Sequence, residues 1–181
     1  MKRLLLLAAV LLSCSAMAQE ISLSTNLADY AGGGTLNIEA AYGFARHWSA
    51  GAGIKYNPFS FGRGEEESML RQRLISAGTR WWPWHIFSGW WMGAKLQYQE
   101  FAQGGIVSPE TTEGDRFGGG ISAGYSAMIG KHFNLDFGFG LWGGYSVYSV
   151  YACQNCGRRL ASGTKSFLLP NDLILGISYI F

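Results

Sequence analysis

Two cysteines near the end of the chain have the spacing of a reactive or metal-binding motif. Cys153 and Cys156 are separated by two residues, as in redox-active pairs and in half of many zinc sites. A redox pair needs a helix terminus to activate its thiol, and zinc needs four ligands. No helical pattern follows Cys156, and the three histidines, His47, His85 and His132, belong to other segments. We therefore predict a structural disulfide between Cys153 and Cys156, as is usual in oxidising compartments.

A glycine motif in the same third of the chain resembles a nucleotide site. Residues 138–143, Gly-Phe-Gly-Leu-Trp-Gly, match the G-x-G-x-x-G fingerprint of dinucleotide-binding proteins. That fingerprint functions where a strand ends and a helix begins, because the helix N-terminus holds the pyrophosphate. Here the motif lies inside a segment that alternates with period two. We predict no nucleotide site at these glycines, and the sequence implies no cofactor or metal.

Charged residues of both signs occur singly within faces made mostly of glycine and serine. They are Glu39, Lys55, Arg80, Lys95 and Asp136. If these faces share one enclosed interior, the charges have to pair, because an unpaired buried charge is costly. We predict a polar network that fills this interior rather than a catalytic or conducting site.

The elements that would position these residues are β-strands. Apolar side chains recur at every second residue through nearly all of the chain after residue 20, a period that strands produce and helices do not. We predict eight strands, at about residues 21–28, 35–44, 48–57, 71–82, 88–101, 117–129, 133–142 and 172–181.

One face of these strands is large and aromatic, whereas the other is small and polar. Phe137 and Phe139, for example, alternate with Asp136 and Gly138. Charged residues make up only 14% of the chain, against about 25% in soluble domains, so they cannot cover an exterior that faces water. We predict that the large apolar face meets lipid and that the polar face is enclosed. The predicted fold is all-β, an eight-stranded antiparallel up-and-down transmembrane β-barrel.

Short and long connections alternate along the chain. The short ones fall at residues 45–47, 83–86 and 130–132, and the longer ones at residues 29–34, 58–69, 102–115 and 153–169. Because outer-membrane barrels have short periplasmic turns and longer external loops, we expect both termini in the periplasm. All four prolines lie in predicted connections, as expected for residues that cannot donate to a β-ladder. They are Pro58, Pro83, Pro109 and Pro170.

The first eighteen residues have the organisation of a secretory signal. Lys2 and Arg3 precede an apolar run that is too short to span a bilayer as a helix, and residues 16–18, Ala-Met-Ala, precede Gln19. We predict a signal peptide at residues 1–18 and an outer-membrane barrel domain at residues 19–181. Cleavage before Cys14, with lipidation of its thiol, is the alternative.

Cleavage of this segment would leave a chain with balanced charge. Loss of Lys2 and Arg3 lowers the number of basic residues from 14 to 12, which equals the 12 acidic residues. A neutral chain lacks the basic patch of a nucleic-acid-binding protein.

Aromatic residues collect at both ends of the predicted strands, as they do at the two interfaces of a membrane. The predicted periplasmic girdle consists of Trp48, Trp81, Trp82, Trp84, Phe133 and Phe181, and the outer girdle consists of Tyr56, Phe59, Tyr98, Phe101, Phe117 and Tyr145. Tyr179 and the terminal Phe181 also end the last strand in an alternating pattern. This ending predicts a signal for the barrel assembly machinery.

Several short stretches together resemble one known family. They are Thr25-Asn26-Leu27, Tyr56-Asn57-Pro58, Arg80-Trp81 and residues 151–157, Tyr-Ala-Cys-Gln-Asn-Cys-Gly. With Trp48, Tyr148 and the glycine-rich sixth strand, they make the chain resemble the domain of unknown function 3575 family, small outer-membrane proteins of Bacteroidetes-type bacteria. The chain departs from the family pattern at Ala77-Gly78, where Pro-Glu is usual, and at Gly89-Trp90, where Gly-His is usual. The resemblance implies a barrel and a membrane location but no activity.

These patterns favour a surface protein that is not an enzyme. Its barrel would lie in outer-membrane lipid and lipopolysaccharide, and its external loops would have structural, adhesive or surface-assembly roles. The alternative is a lipid-modifying barrel enzyme, an acyl transferase or deacylase, which needs a nucleophile beside a base near the outer leaflet. A soluble lipocalin-like carrier is a third possibility. It would place the large apolar residues inside and the charges outside.

Overall fold

The computed structural model of the protein describes residues 21–61, 68–105, 110–153 and 157–181. The predicted signal peptide at residues 1–18, its cleavage before Gln19 and the alternative at Cys14 lie outside these residues. Pro109 and Cys156 lie outside them as well. The division of the chain into a signal and a barrel domain therefore stays a prediction.

Strands make up most of the chain after residue 20. The described residues form nine strands, β1 (Ile21–Asn26), β2 (Leu36–Ala45), β3 (Trp48–Asn57), β4 (Ser60–Phe61), β5 (Ser68–Trp81), β6 (Gly89–Gly104), β7 (Thr111–Met128), β8 (Phe133–Tyr151) and β9 (Arg159–Ile180). They also form one short helix, α1 (Leu27–Ala31). No helix in these parts of the chain is long and apolar enough to cross a membrane.

The strands belong to one antiparallel sheet that closes on itself. Its order is β3-β2-β1-β9-β8-β7-β6-β5-β4, and β3 also pairs with β5. Eight strands therefore form a ring, and β4 lies outside it, where it pairs with Met69 and Ser68 of β5. The prediction of an all-β fold with eight antiparallel strands in sequential order is confirmed.

The two faces of the ring differ in the way that the alternation predicts. Large apolar side chains lie on the exposed face: Ile121 is 67% exposed and Phe139 is 52% exposed. Many fully buried side chains are instead polar, among them Gln97, Asn134 and Ser49. This distribution is the reverse of a sheet that packs its apolar face away from water.

A small apolar core lies inside the ring near the short turns. It consists of Trp82, Phe87, Trp91, Ile180 and Ala41. The Trp82 ring packs against Phe87 with centroids 5.7 Å apart and against Trp91 at 6.3 Å. The core therefore fills this end of the ring with aromatic rings rather than with charge.

Two residues of the predicted girdles are buried instead, so the prediction was wrong for them. Trp82 is 1% exposed, and its Nε1 donates to Ser49 Oγ at 3.0 Å. Phe101 is 4% exposed and lies under the Arg116 guanidinium, whose Cζ is 3.8 Å from the ring centroid. Both occupy inward positions in the alternation, and each ring gains a polar partner there. The girdle residues that remain exposed include Trp48, Trp81, Trp84, Phe133, Phe181, Tyr56, Phe59, Phe117 and Tyr145.

The hairpin of β8 and β9 is much longer than the sequence predicts. Most of the connection predicted at residues 153–169 is strand, because β9 begins at Arg159. Its outward positions carry serine and threonine there, so the apolar signal disappears although pairing with β8 continues. Pro170 consequently lies within β9, where the register with β8 shifts by one residue beside Leu141. Such a bulge tolerates a residue that has no N–H.

The connection predicted at residues 29–34 contains the helix α1. Asn26 caps this helix, because its side-chain oxygen accepts a hydrogen bond from Ala28 N at 3.3 Å. An asparagine at this position satisfies one of the free N–H groups of the first turn. One and a half turns of helix are too few to produce a periodic pattern in the sequence.

Replacing Gly124 by alanine should destabilise the protein. A Cβ at this position would meet the Phe137 backbone oxygen and lie 2.5 Å from Trp91 Cζ2, so we expect a loss of about 1–3 kcal/mol in the free energy of unfolding. The matched control is Gly119→Ala on the same strand, where the nearest atom would be 3.7 Å away. Unfolding in urea, monitored by tryptophan fluorescence, measures the free energy of unfolding of both variants. Equal losses in the two variants would contradict the packing of Trp91 over Gly124.

Candidate functional site

The five charged residues that the sequence singles out come from five strands and line one cavity. Glu39 belongs to β2, Lys55 to β3, Arg80 to β5, Lys95 to β6 and Asp136 to β8. Each has an inward position in its strand. The ring therefore collects into one space residues that are far apart in the chain.

Arg80 and Glu39 form an ion pair across this space. Arg80 Nη2 donates to Glu39 Oε1 at 2.5 Å. Their strands both flank β3, and Gly53, which pairs with Glu39, leaves room for the arginine to reach across. The guanidinium also lies over the ring of Trp91, with Cζ 4.6 Å from its centroid. Because the two side chains are only 21% and 30% exposed, water screens this pair less than a pair at the surface.

A second ion pair joins the ring to the helix α1. Lys55 Nζ donates to Asp29 Oδ1 at 3.0 Å and lies 2.9 Å from Oδ2. The capped helix directs the Asp29 carboxylate into the interior at the end opposite the short turns. The sequence places Asp29 in a connection, and the helix that brings it to Lys55 leaves no periodic signal.

Asp136 is bound by hydroxyl groups of the two neighbouring strands. Its carboxylate accepts hydrogen bonds from Ser126 of β7 and Ser178 of β9. Asp136 is 5% exposed, and these donors offset part of the cost of removing a carboxylate from water. Lys95 lines the same cavity as Asp136.

A chain of neutral and charged side chains fills the ring beyond Lys55, and the sequence analysis missed it. Asn57 Nδ2 and Gln72 Nε2 each donate to Thr35 Oγ1 at 3.1 Å. Gln99 Nε2 donates to Gln72 Oε1 at 2.6 Å, and Arg116 Nη1 donates to Gln99 Oε1 at 3.2 Å. Because every second residue of a strand has the same face, the sequence could have identified Gln72 as inward from Arg80. It could not have identified the partners of Gln72 on other strands.

Side chains that bind one another occupy much of the interior. Glu39, Lys55 and Asp136 bind an opposite charge or hydroxyl groups, and an eight-stranded ring is only wide enough for side chains to fill. Two histidines lie at the other end, where His47 Nδ1 contacts Trp82 O at 2.8 Å and His132 Nδ1 contacts Ile180 O at 2.9 Å. Within the described residues, no three His, Cys, Asp or Glu side chains are close enough to hold a metal ion.

The predicted disulfide precedes β9 in the sequence, and the predicted assembly signal lies at the end of this strand. Cys153 follows β8, but Cys156 lies outside the described residues, so their disulfide stays a prediction. At the other end, the Tyr179 ring packs edge-on against Phe181 at 4.9 Å and against Phe133 at 5.1 Å. The aromatic cluster leaves Phe181 58% exposed. A role for it in assembly stays a prediction.

These features define a class of protein: an all-β chain closed into an eight-stranded antiparallel ring, with a polar interior and an apolar exterior. The chain belongs to the family described as protein of unknown function (DUF3575), whose sequence model matches residues 4–181. Comparison with curated proteins found no match. The family match inferred from the sequence is confirmed by this sequence model, whereas the outer-membrane and Bacteroidetes-type description stays a prediction.

Breaking the Arg80–Glu39 pair should destabilise the fold. Glu39→Gln should lower the free energy of unfolding by about 1–2 kcal/mol, because it leaves the guanidinium inside the ring without its counter-charge. The free energy of unfolding lost in the double variant, Glu39→Gln with Arg80→Gln, should be smaller than the sum of the losses in the two single variants by about 0.5–2 kcal/mol. Urea unfolding of all three variants measures this coupling.

The control for this cycle is Asp115→Asn, which removes the charged acceptor of an exposed hydrogen bond from Tyr98 Oη at 3.0 Å. This variant should unfold like the parent protein. Strict additivity of the Glu39 and Arg80 losses would show that the pair does not couple the strands.

Proposed function

We propose that the protein is an integral β-barrel of the bacterial outer membrane that has no catalytic role. Its outer end would make structural, adhesive or surface-assembly contacts. The single observation that carries the proposal is that every strand of the ring exposes large apolar side chains. Soluble monomers rarely expose a continuous apolar patch larger than a few hundred Å², whereas a lipid-facing barrel requires one.

The height of the apolar band supports a membrane environment. At one edge, Arg73, Glu100 and Asp115 point outward in register on β5, β6 and β7. At the other edge, Trp81 lies eight residues from Arg73, and Trp90 lies ten residues from Glu100. With about 3.4 Å per residue and a tilt of about 40°, these separations correspond to a band of roughly 20–26 Å. The apolar band of outer-membrane barrels is about 25 Å tall.

Aromatic contacts at the edge near the turns also fit a membrane interface. Trp48 and Trp81 are directly paired across β3 and β5, and Trp90 packs edge-on against Tyr125 at 5.3 Å. Amphipathic rings concentrate at the level of lipid headgroups. Closure of the ring further satisfies the backbone hydrogen bonds that a bilayer leaves without partners.

The remaining features of the proposal follow from the sequence. The chain would be exported with a signal peptide cleaved before Gln19, and the barrel assembly machinery would bind the last strand through Tyr179 and Phe181. The short turns and both termini would face the periplasm, and the disulfide of Cys153 and Cys156 would form in the outer hairpin. Outer-membrane lipid and lipopolysaccharide would surround the barrel.

Extraction of membranes tests the location directly. The protein should stay in the pellet of an outer-membrane fraction after treatment with sodium carbonate or high salt, and it should partition into detergent. Release by salt or carbonate would instead identify a soluble or peripheral protein.

An arginine placed on the apolar band should be costly only in lipid. Ile121 lies between Tyr125 and Asp115 on β7, near the middle of the band, so Ile121→Arg should cost about 2–4 kcal/mol in vesicles. The control is Val147→Arg. Val147 is also exposed, but it pairs with Asp115, which forms the charged margin of the band together with Arg73 and Glu100. Urea unfolding from lipid vesicles measures the difference. Equal costs for the two variants would contradict a membrane at this level.

A further inference from the structure

The last strand has an open edge toward the outer end of the ring. β8 pairs with β9 from Tyr179 to Arg159, whereas β1 pairs with β9 only from Ile180 to Gly176. In the described parts of the chain, residues 159–175 therefore have a partner strand on one side only. A strand edge presents a row of free N–H and C=O groups that another chain can pair with.

The end of this edge nearest β1 is covered. Asn26 Nδ2 donates to Leu173 O at 2.9 Å, and Asn26 Oδ1 accepts from Leu175 N at 2.9 Å. The helix α1 lies against β9 next to this cap. These contacts also show that the backbone groups of Leu173 and Leu175 point toward β1.

The same alternation identifies the groups of the open part. In an antiparallel strand, both backbone groups of every second residue point to the same neighbour. The bulge beside Pro170 shifts this alternation by one residue, so Ser162, Thr164, Ser166 and Leu168 present their N–H and C=O groups to the open edge. Pro170 also falls on this side, where its missing N–H costs no bond to β8.

The edge of β5 beyond its pairing with β3 is covered by another strand, unlike the edge of β9. There β4 pairs with the outer end of β5, at Met69 and Ser68. In the open part of β9 the outward side chains are Ser162, Thr164 and Ser166, which are short and exposed, and Leu168, which is 72% exposed. No strand of the described residues covers this part of the β9 edge.

The charge of this hairpin indicates the chemistry of a partner. Between Asp136 and Asp172 the sequence contains no acidic residue, but it contains Arg158, Arg159 and Lys165. Lys165 Nζ lies 4.9 Å from the Tyr148 ring centroid, whereas both arginines are exposed at the start of β9. The positive charge disfavours a second copy of the same hairpin and favours an acidic segment.

We propose that the open edge of β9, from Ser162 to Leu168, binds an extended acidic polypeptide segment as an additional strand. This inference rests on the proposed function, because it requires that the outer end of the barrel is accessible at the cell surface. Main-chain hydrogen bonds would give the affinity, and Arg158 and Arg159 would favour carboxylates.

The experiment uses the full protein in lipid nanodiscs and a short fluorescein-labelled peptide in which glutamate alternates with valine. Its control peptide carries lysine in place of glutamate. Fluorescence anisotropy should show binding of the acidic peptide only. Thr164→Pro removes a free N–H from the open edge without touching the ladder to β8, so it should weaken binding at least about tenfold. Thr164→Val, which keeps the backbone donor, should bind within about twofold of the parent protein.

A second variant tests the charge without changing the backbone. Arg158→Gln combined with Arg159→Gln should weaken binding and reduce its dependence on salt. Unchanged binding in Thr164→Pro would overturn the proposal, and so would equal binding of the two peptides. Binding to lipopolysaccharide-containing vesicles in place of the peptide, with the same dependence on the arginines, would identify an anionic lipid site instead. A protein that fails to insert into lipid refutes the proposed function, whereas an inserted protein that does not bind the peptide refutes only this inference.

Discussion

Closure of the eight-stranded ring is the constraint on which the other features of the molecule depend. Pairing of β1 with β9 and of β3 with β5 closes the sheet, and Asn26 and α1 cover the part of the β9 edge that lies next to β1. A ring of eight strands encloses a space only wide enough for side chains. The inward residues therefore have to be small or to fit one another closely. Gly124 and Gly138, opposite each other beneath Trp91, show how glycine makes room for a large ring.

The same enclosure determines the chemistry of the interior. Each charge inside the ring loses water, so its stability depends on partners that other strands and the helix α1 supply. Glu39 has Arg80, Lys55 has Asp29, and Asp136 has two serine hydroxyl groups. Such a network makes the relative positions of the strands specific, since sliding one strand by a residue would turn these side chains outward. The polar interior thus complements the apolar exterior in specifying one register.

The strands differ greatly in length, and this difference divides the sheet into a closed region and an open one. β1, β2 and β3 have between six and ten residues, whereas β8 and β9 have 19 and 22. The part of the sheet that extends past the short strands is no longer closed. It is therefore free of the packing that the enclosed interior imposes. The open edge of β9 is available only beyond the region where β1 pairs with it.

The sequence by itself determined which segments are strands and which face of each is apolar. Strand periodicity is local, so Phe137, Phe139 and Asp136 could be assigned to faces without knowledge of any partner. Only the tertiary structure decided that Lys55 binds Asp29, that Trp82 and Phe101 turn inward, and that β9 continues to Arg159. Pairing between side chains depends on the register of strands far apart in the chain, and β9 continues where β8 supplies hydrogen bonds without an apolar pattern. These relations arise from closure of the sheet, which no short stretch of residues encodes.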